Sequence, residues 1–146
     1  IYVEQLKQQV ALSNYSQRIK FLGYRTDVYK LMSEATALLV PSIHEGFGFI
    51  TAEAMLNKCL VIGNNTSGTK EQFDNGFQRH KQEIALRYSG QEELFETMKR
   101  VLDNGVEHYR PMIERAHETV CSLYTIEQSA EKVYDYYLKI LKNYEQ

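Results

Sequence analysis

Two cysteines in 146 residues are too few to staple a small secreted scaffold. Cys59 opens an apolar stretch and Cys121 falls in an amphipathic one, so both are expected as buried free thiols in a reducing compartment. The four histidines, His44, His80, His108 and His117, have no ligand spacing with the cysteines, which removes a zinc site. No apolar run approaches the roughly 18 residues that span a bilayer. No P-loop is present, no Gly-x-Gly-x-x-Gly follows a strand, and Ser42 lacks the Gly-x-Ser-x-Gly elbow. These absences exclude P-loop, nicotinamide-dependent and serine-hydrolase chemistry. A formal net charge of -2 gives no reason to expect nucleic acid or a strongly anionic membrane as partner. Repeats and low-complexity segments are missing too.

What is present alternates. Apolar segments at 18–22, 37–40, 59–63 and 84–88 read as strands, with helical patterns between them. That alternation predicts an α/β fold, a Rossmann-like parallel sheet flanked by helices. The length suits one domain, 1–146, with a real core. Residues 1–13 read as a helix. Asp74-Asn75-Gly76 is a turn signal, Phe77 to Gln82 a loop, and Asn65-Thr66-Ser67 a polar turn. After Ser89-Gly90 the chain turns helical to its end. Leu94, Met98, Val101 and Leu102 form one apolar face, and Met112, Ala116, Val120 and Leu123 another. The last helix carries Ile126, Ala130, Val133, Tyr137, Ile140, Leu141 and Tyr144 on one stripe. That stripe has two readings: packing on the sheet, or a surface that docks on another domain, with Tyr134, Tyr136 and Tyr137 exposed.

The run from Pro41 to Met55 carries the chemistry. The apolar strand Ala37-Leu38-Leu39-Val40 ends at Pro41 and opens onto a glycine-punctuated turn that leads into a helix from Phe49 to about Asn57. In parallel sheets ligands bind at the carboxyl ends of strands. Gly46 and Gly48 around Phe47 indicate positive φ or a close approach by a ligand. The first amides of the following helix lack internal partners and favour a phosphate. Glu45 in the turn and Glu53 in the helix lie eight positions apart, about 12 Å along a continuous helix at 1.5 Å per residue. A retaining glycosidase pair stands roughly 5–5.5 Å apart. The two carboxylates therefore read as grips on different ends of one long ligand, or else as a loop glutamate and a solvated helix glutamate.

This stretch resembles the glycosyltransferase group 1 family, the retaining GT-B-fold enzymes. The resemblance begins at Arg18-Ile19-Lys20-Phe21-Leu22-Gly23, like the family's strand ending in Phe-x-Gly, and continues through Asp27 to Ala35. It then takes in the Pro-Ser-x-x-Glu-Gly-Phe-Gly turn, Glu53-Ala54-Met55, the strand Leu60-Val61-Ile62-Gly63, and Ser67-Gly68-Thr69-Lys70-Glu71 as the Gly-x-x-Glu element. The order and intervals match over roughly half the chain, a far stronger signal than a lone fingerprint.

The resemblance implies a site residue by residue. Glu45 would contact the donor sugar and act in catalysis, and Glu53 would hold the ribose hydroxyls. The backbone amides of Gly48, Phe49 and Ile50 would approach the diphosphate and sugar, and Ser42, His44, Gly46, Phe47 and Thr51 would complete the donor-binding set. Gly23, Tyr24 and Arg25 would lie near the nucleobase, although Tyr24 reads equally as a surface turn residue and His44 as a turn histidine. No metal or other cofactor is implied, and no Asp-x-Asp occurs to bind a metal-diphosphate.

The family's domain normally opens with a strand, a glycine-rich turn and a basic pair that neutralises the diphosphate, and nothing here supplies them. The first strands are expected to be missing, and the chain reads as a fragment, the C-terminal half of a GT-B fold. If the strand order is 3-2-1-4-5-6, the absent strands would separate 18–22 from the rest of the sheet. Its partners would be a nucleoside-diphosphate sugar, an N-terminal acceptor domain and a sugar or lipid-linked acceptor. The exposed sheet edge would invite self-association. The expected setting is polysaccharide or glycoconjugate biosynthesis, in the cytoplasm or at the inner face of its membrane. The alternatives are a non-catalytic interaction module derived from this fold, or another GT-B enzyme such as a sugar-nucleotide epimerase.

Overall fold

A computed structural model of the chain describes residues 2–144. Three strands, β1 (Leu38–Val40), β2 (Val61–Asn64) and β3 (Leu86–Tyr88), form one parallel sheet in the order β1-β2-β3. The register sets Leu39 beside Ile62 and Ile62 beside Leu86. The described residues also form the helices α1 (Tyr2–Leu12), α2 (Val28–Glu34), α3 (Phe49–Leu56), α4 (Ser67–His80), α5 (Gln91–Asn104), α6 (Arg110–Leu123) and α7 (Ile126–Tyr144). The class is the one expected: an α/β, Rossmann-like parallel sheet with a helical C-terminus.

The central strand explains why the sheet has two covered faces. Successive side chains of a strand point to opposite faces. Val61 accordingly joins a core with Met32, Val40, Met55, Phe73, Ile84, Ala116 and Val120, whereas Ile62 joins Leu60, Tyr88, Val101, Tyr109 and Ile113. Helix α6 serves both cores, through Ala116 and Val120 on one and Ile113 on the other. Continuous apolar sequence in β2 thus follows from burial on both sides.

Four expectations are corrected. Residues 18–22 do not form a strand: a turn of 3₁₀ helix covers Ser16–Arg18, and Ile19, Phe21 and Leu22 are exposed. A strand needs a neighbour to satisfy its amides, and β1, the edge of the sheet, does not pair with this segment. Asp74-Asn75-Gly76 and the supposed loop from Phe77 lie inside α4, which runs on to His80. The helix persists because Phe73 is fully buried and Gly76 lies against Ile84, where a Cβ would stand 2.2 Å from Cδ1. Cys121 is exposed, unlike the buried Cys59. Finally, no residue of α7 is buried, and Tyr134, Tyr136 and Tyr137 are exposed, so this helix does not pack on the sheet.

Candidate functional site

The site grows from the carboxyl ends of β1 and β2. Val40 ends β1, and the turn 41–48 carries the chain to Gly48, which stands at the N-cap of α3 with φ 82. The segment that leaves β2 runs alongside this turn and feeds it hydrogen-bond donors. Asn64 Nδ2 donates to the Ser42 carbonyl at 3.2 Å, and the Thr66 and Ser67 hydroxyls each reach the Ile43 carbonyl at 3.4 Å. The Gly68 amide donates to the Glu45 carbonyl at 3.1 Å. Gln72 Nε2 donates to the carbonyl of Gly48 at 3.1 Å and also to that of Phe47. Glycine is required at 68, since a Cβ there would lie 2.5 Å from the Gly46 carbonyl oxygen.

The consequence is a polarised turn. The carbonyls of Ser42, Ile43, Glu45, Phe47 and Gly48 are engaged by donors from 64–72, while among the described residues the amides of Gly46, Phe47, Gly48, Phe49 and Ile50 have no backbone acceptor. The first amides of α3 point along the helix axis toward its amino end, carrying its partial positive charge. An anion is the ligand that such a surface suits.

The predicted residues fall into groups. Glu45 and Ser42 are partly buried in the turn, His44 is exposed, and Gly48 is buried. Among the described residues the Glu45 carboxylate has no hydrogen-bond partner, whereas Oε1 of Glu53 accepts from the Tyr29 hydroxyl at 3.2 Å. That hydrogen bond, reinforced by the carboxylate charge, raises the Tyr29 pKa above its ordinary value. Phe49 and Ile50 are exposed. Phe47 instead packs edge-on against Tyr124 with ring centres 5.1 Å apart, and Thr51 is fully buried. Gly23 adopts φ 64 and Tyr24 is almost wholly exposed. A hollow of about 360 Å³ joins Tyr24, Arg25 and Tyr29 to Glu53, so the Gly23–Arg25 loop shares a surface with the helix glutamate.

The local cations are already paired. Arg25 grips Asp27 with two hydrogen bonds of 2.7 and 2.5 Å, which raise the arginine pKa and lower that of the aspartate. Arg87 donates to Asp74 at 2.6 Å and to Glu83 at 3.0 Å, and Lys70 also pairs with Asp74. Backbone amides are therefore the donors that the turn itself leaves open. A second hollow, of about 310 Å³, lies beside Ser33, Thr36, Lys58 and Arg110. Thr36 and Lys58 precede β1 and β2, so it sits at the amino ends of the strands, away from where such sheets bind ligands.

Sequence reasoning missed Tyr29, Asn64, Thr69 and Gln72. Tyr29 lay in a matched stretch, but nothing local marks it as a partner of a glutamate 24 residues on. Asn64 and Gln72 act across similar separations.

A parallel α/β, Rossmann-like unit with a glycine turn at its strand ends, flanked by one free and one anchored carboxylate, is the class of domain that the fold defines. Residues 2–119 match the model of the family described as glycosyl transferases group 1, and the chain belongs to that family. It is also similar to the lipopolysaccharide core biosynthesis mannosyltransferase LpcC of Rhizobium leguminosarum bv. viciae, with 31% identity over 75 residues. That alignment covers 51% of this chain and 21% of the relative, so the matched part spans about a fifth of the relative's length. None of the described helices is long and apolar enough to cross a membrane.

Proposed function

We propose that this chain is the donor-binding domain of a retaining glycosyltransferase, which moves a sugar from a nucleoside diphosphate to an acceptor hydroxyl. The observation that carries the reading is the polarised turn, whose unpaired amides at 46–50 form an anion-binding surface between Glu45 and Glu53. The diphosphate sits against the amides of Gly48, Phe49 and Ile50, where the start of α3 favours negative charge. Glu53, held by Tyr29, accepts the ribose hydroxyls. The base lies toward Tyr24 and Arg25.

Glu45 orients the sugar and stabilises the positive charge that develops at the anomeric carbon as the bond to phosphate breaks. Such preorganised electrostatics is commonly the largest catalytic term. The leaving diphosphate takes the acceptor's proton on the same face, so the anomeric configuration is retained. In this reading no metal is used. The acceptor binds to a second, N-terminal domain of the whole protein, and α7, with its exposed tyrosines, offers a surface toward it. The family and the mannosyltransferase relative support a glycoconjugate setting and put mannose first among the sugars to test.

The test is a titration of the purified chain with UDP, GDP and their glucose and mannose conjugates, followed by ligand-observed NMR. Saturable binding of one nucleotide, weakened by Glu53→Ala, is the expected result. No binding of any nucleotide by a folded chain would overturn the donor assignment.

A further inference from the structure

Gln72 is an anomaly in the core. It is 1% exposed and sits between the buried Thr69 and Phe73, where an apolar side chain would complete the packing without any polar cost. Around it are two more buried polar side chains, Thr51 and Thr69. Among the described residues, the hydroxyls of both threonines and Oε1 of Gln72 have no hydrogen-bond partner. All three side chains gather under Gly48. A Cβ on that glycine would lie 3.6 Å from each of Gln72 Nε2, Thr51 Oγ1 and Thr69 Oγ1. Unsatisfied buried groups are few in folded proteins, and each calls for a reason.

The reason lies in two consecutive peptide planes. Gln72 donates to the carbonyls of Phe47 and Gly48. Among the described residues it is the donor the Phe47 carbonyl has, whereas the Gly48 carbonyl also accepts from the Thr51 amide. A trans peptide is planar, so its C=O and N–H point in opposite directions. Pulling the Phe47 carbonyl inward turns the Gly48 amide outward, and pulling the Gly48 carbonyl inward turns the Phe49 amide outward. Gly48, at φ 82, belongs to the residue type with the most freedom to flip these planes.

We infer that Gln72 is a positioning residue: its buried amide locks the 47–48 and 48–49 peptides so that the Gly48 and Phe49 N–H groups face the donor diphosphate. The lock is a property of the turn, and its link to the diphosphate rests on the function proposed above. Gln72 touches no part of the ligand. Its influence falls on the phosphates and leaves the base and ribose contacts alone.

The experiment compares the wild-type chain with Gln72→Leu, which lacks donors, and Gln72→Glu, which keeps the size and loses the amide. Two readouts are taken. The first is the chemical shift and hydrogen exchange of the Gly48 and Phe49 amides. The second is the ratio of nucleoside to nucleoside-diphosphate dissociation constants, with uridine against UDP and guanosine against GDP. Gln72→Leu is expected to move both amides and to cut that ratio about tenfold, the worth of one good hydrogen bond to a charged group. Nucleoside affinity should stay unchanged. In Gln72→Glu the wild-type amide shifts should return as the pH falls and the carboxyl gains a proton to donate. A generally loosened fold would weaken nucleoside and diphosphate alike and show no such return, and that pattern would overturn the inference. So would unmoved Gly48 and Phe49 amides. If the wild-type chain gains nothing from the diphosphate, the donor reading fails by itself, and the amide readout alone decides whether Gln72 is the lock.

Discussion

The Tyr29 hydroxyl donates to Oε1 of Glu53 at 3.2 Å, tying the first turn of α2 to the middle of α3. A carboxylate free to rotate loses entropy when it binds two hydroxyls, and one held in advance loses less. Tyr29→Phe removes the tether and leaves the ring. The expected result is a nucleoside diphosphate bound roughly three- to tenfold more weakly, the worth of one hydrogen bond. The loss should shrink for the 2′-deoxy nucleotide, which offers Glu53 one hydroxyl fewer. Equal losses for both nucleotides would separate Tyr29 from ribose recognition.

Glu45 is a different kind of carboxylate. Its main-chain carbonyl is fixed by the Gly68 amide, so the residue is anchored while its side chain has no hydrogen-bond partner among the described residues. In the whole transferase Glu45→Ala should lower kcat by about 100- to 1000-fold, the scale of one lost electrostatic stabiliser of a transition state. Nucleotide affinity should change little. A steady-state comparison of kcat with the dissociation constant for UDP or GDP checks the split. Unchanged transfer would remove Glu45 from the chemistry.

Gly68 holds the turn against α4. A methyl group at this position would stand 2.5 Å from the Gly46 carbonyl oxygen and 2.7 Å from that of Phe47, both of them backbone atoms. Gly68→Ala is therefore expected to cost about 1–3 kcal/mol, the usual range for overpacking a close contact. Urea unfolding measures it. Nucleotide binding should suffer as well, because the turn and α4 must separate to admit the methyl.

These residues show which parts of the molecule could be read from sequence. Val61 and Ile62 announced a strand through their own hydrophobicity, and the Glu45–Glu53 turn announced itself through glycine spacing. Both signals are local. The failures were all non-local. Whether Ile19–Leu22 pairs in a sheet depends on a neighbouring strand, which its own apolar pattern does not report. Asp74-Asn75-Gly76 has turn chemistry, but the burial of Phe73 and the fit of Gly76 on Ile84 override it. Cys121 follows the buried Val120 on α6 and falls one step round the helix, beyond the stripe of Ile113, Ala116 and Val120. Gln72 gave no local sign at all, since its partners lie 24 and 25 positions earlier in the chain.

The ion cluster on α4 predicts a pH dependence. Lys70 and Arg87 lower the pKa of Asp74, the lysine hydrogen bond contributing most. With a folded pKa below its unfolded value near 3.9, Asp74 stabilises the fold above about pH 4, and this is lost as pH falls through the folded value. In that window the unfolded chain binds more protons, so stability rises with pH. The carboxylate is 37% exposed, which screens the pair. Asp74→Asn should cost about 1 kcal/mol at neutral pH and flatten the acid limb of a stability-pH curve. Asp27, Glu107 and Glu114 also have lowered pKa values, so part of the limb should survive.

The two thiols should separate by reactivity. Thiolate is the reacting species, and burial pushes the Cys59 pKa up, against a weaker opposing pull from a backbone hydrogen bond with Leu38. Cys59 is 2% exposed, while Cys121 is exposed on α6. A disulfide reagent such as DTNB should therefore titrate one thiol per chain quickly, and Cys121→Ser should abolish that fast phase. Cys59 should react only when the core around Val61, Met55 and Ile84 opens, so its rate in rising urea reports the stability of that core. Two fast thiols in the native chain would contradict the packing of Cys59 ahead of β2.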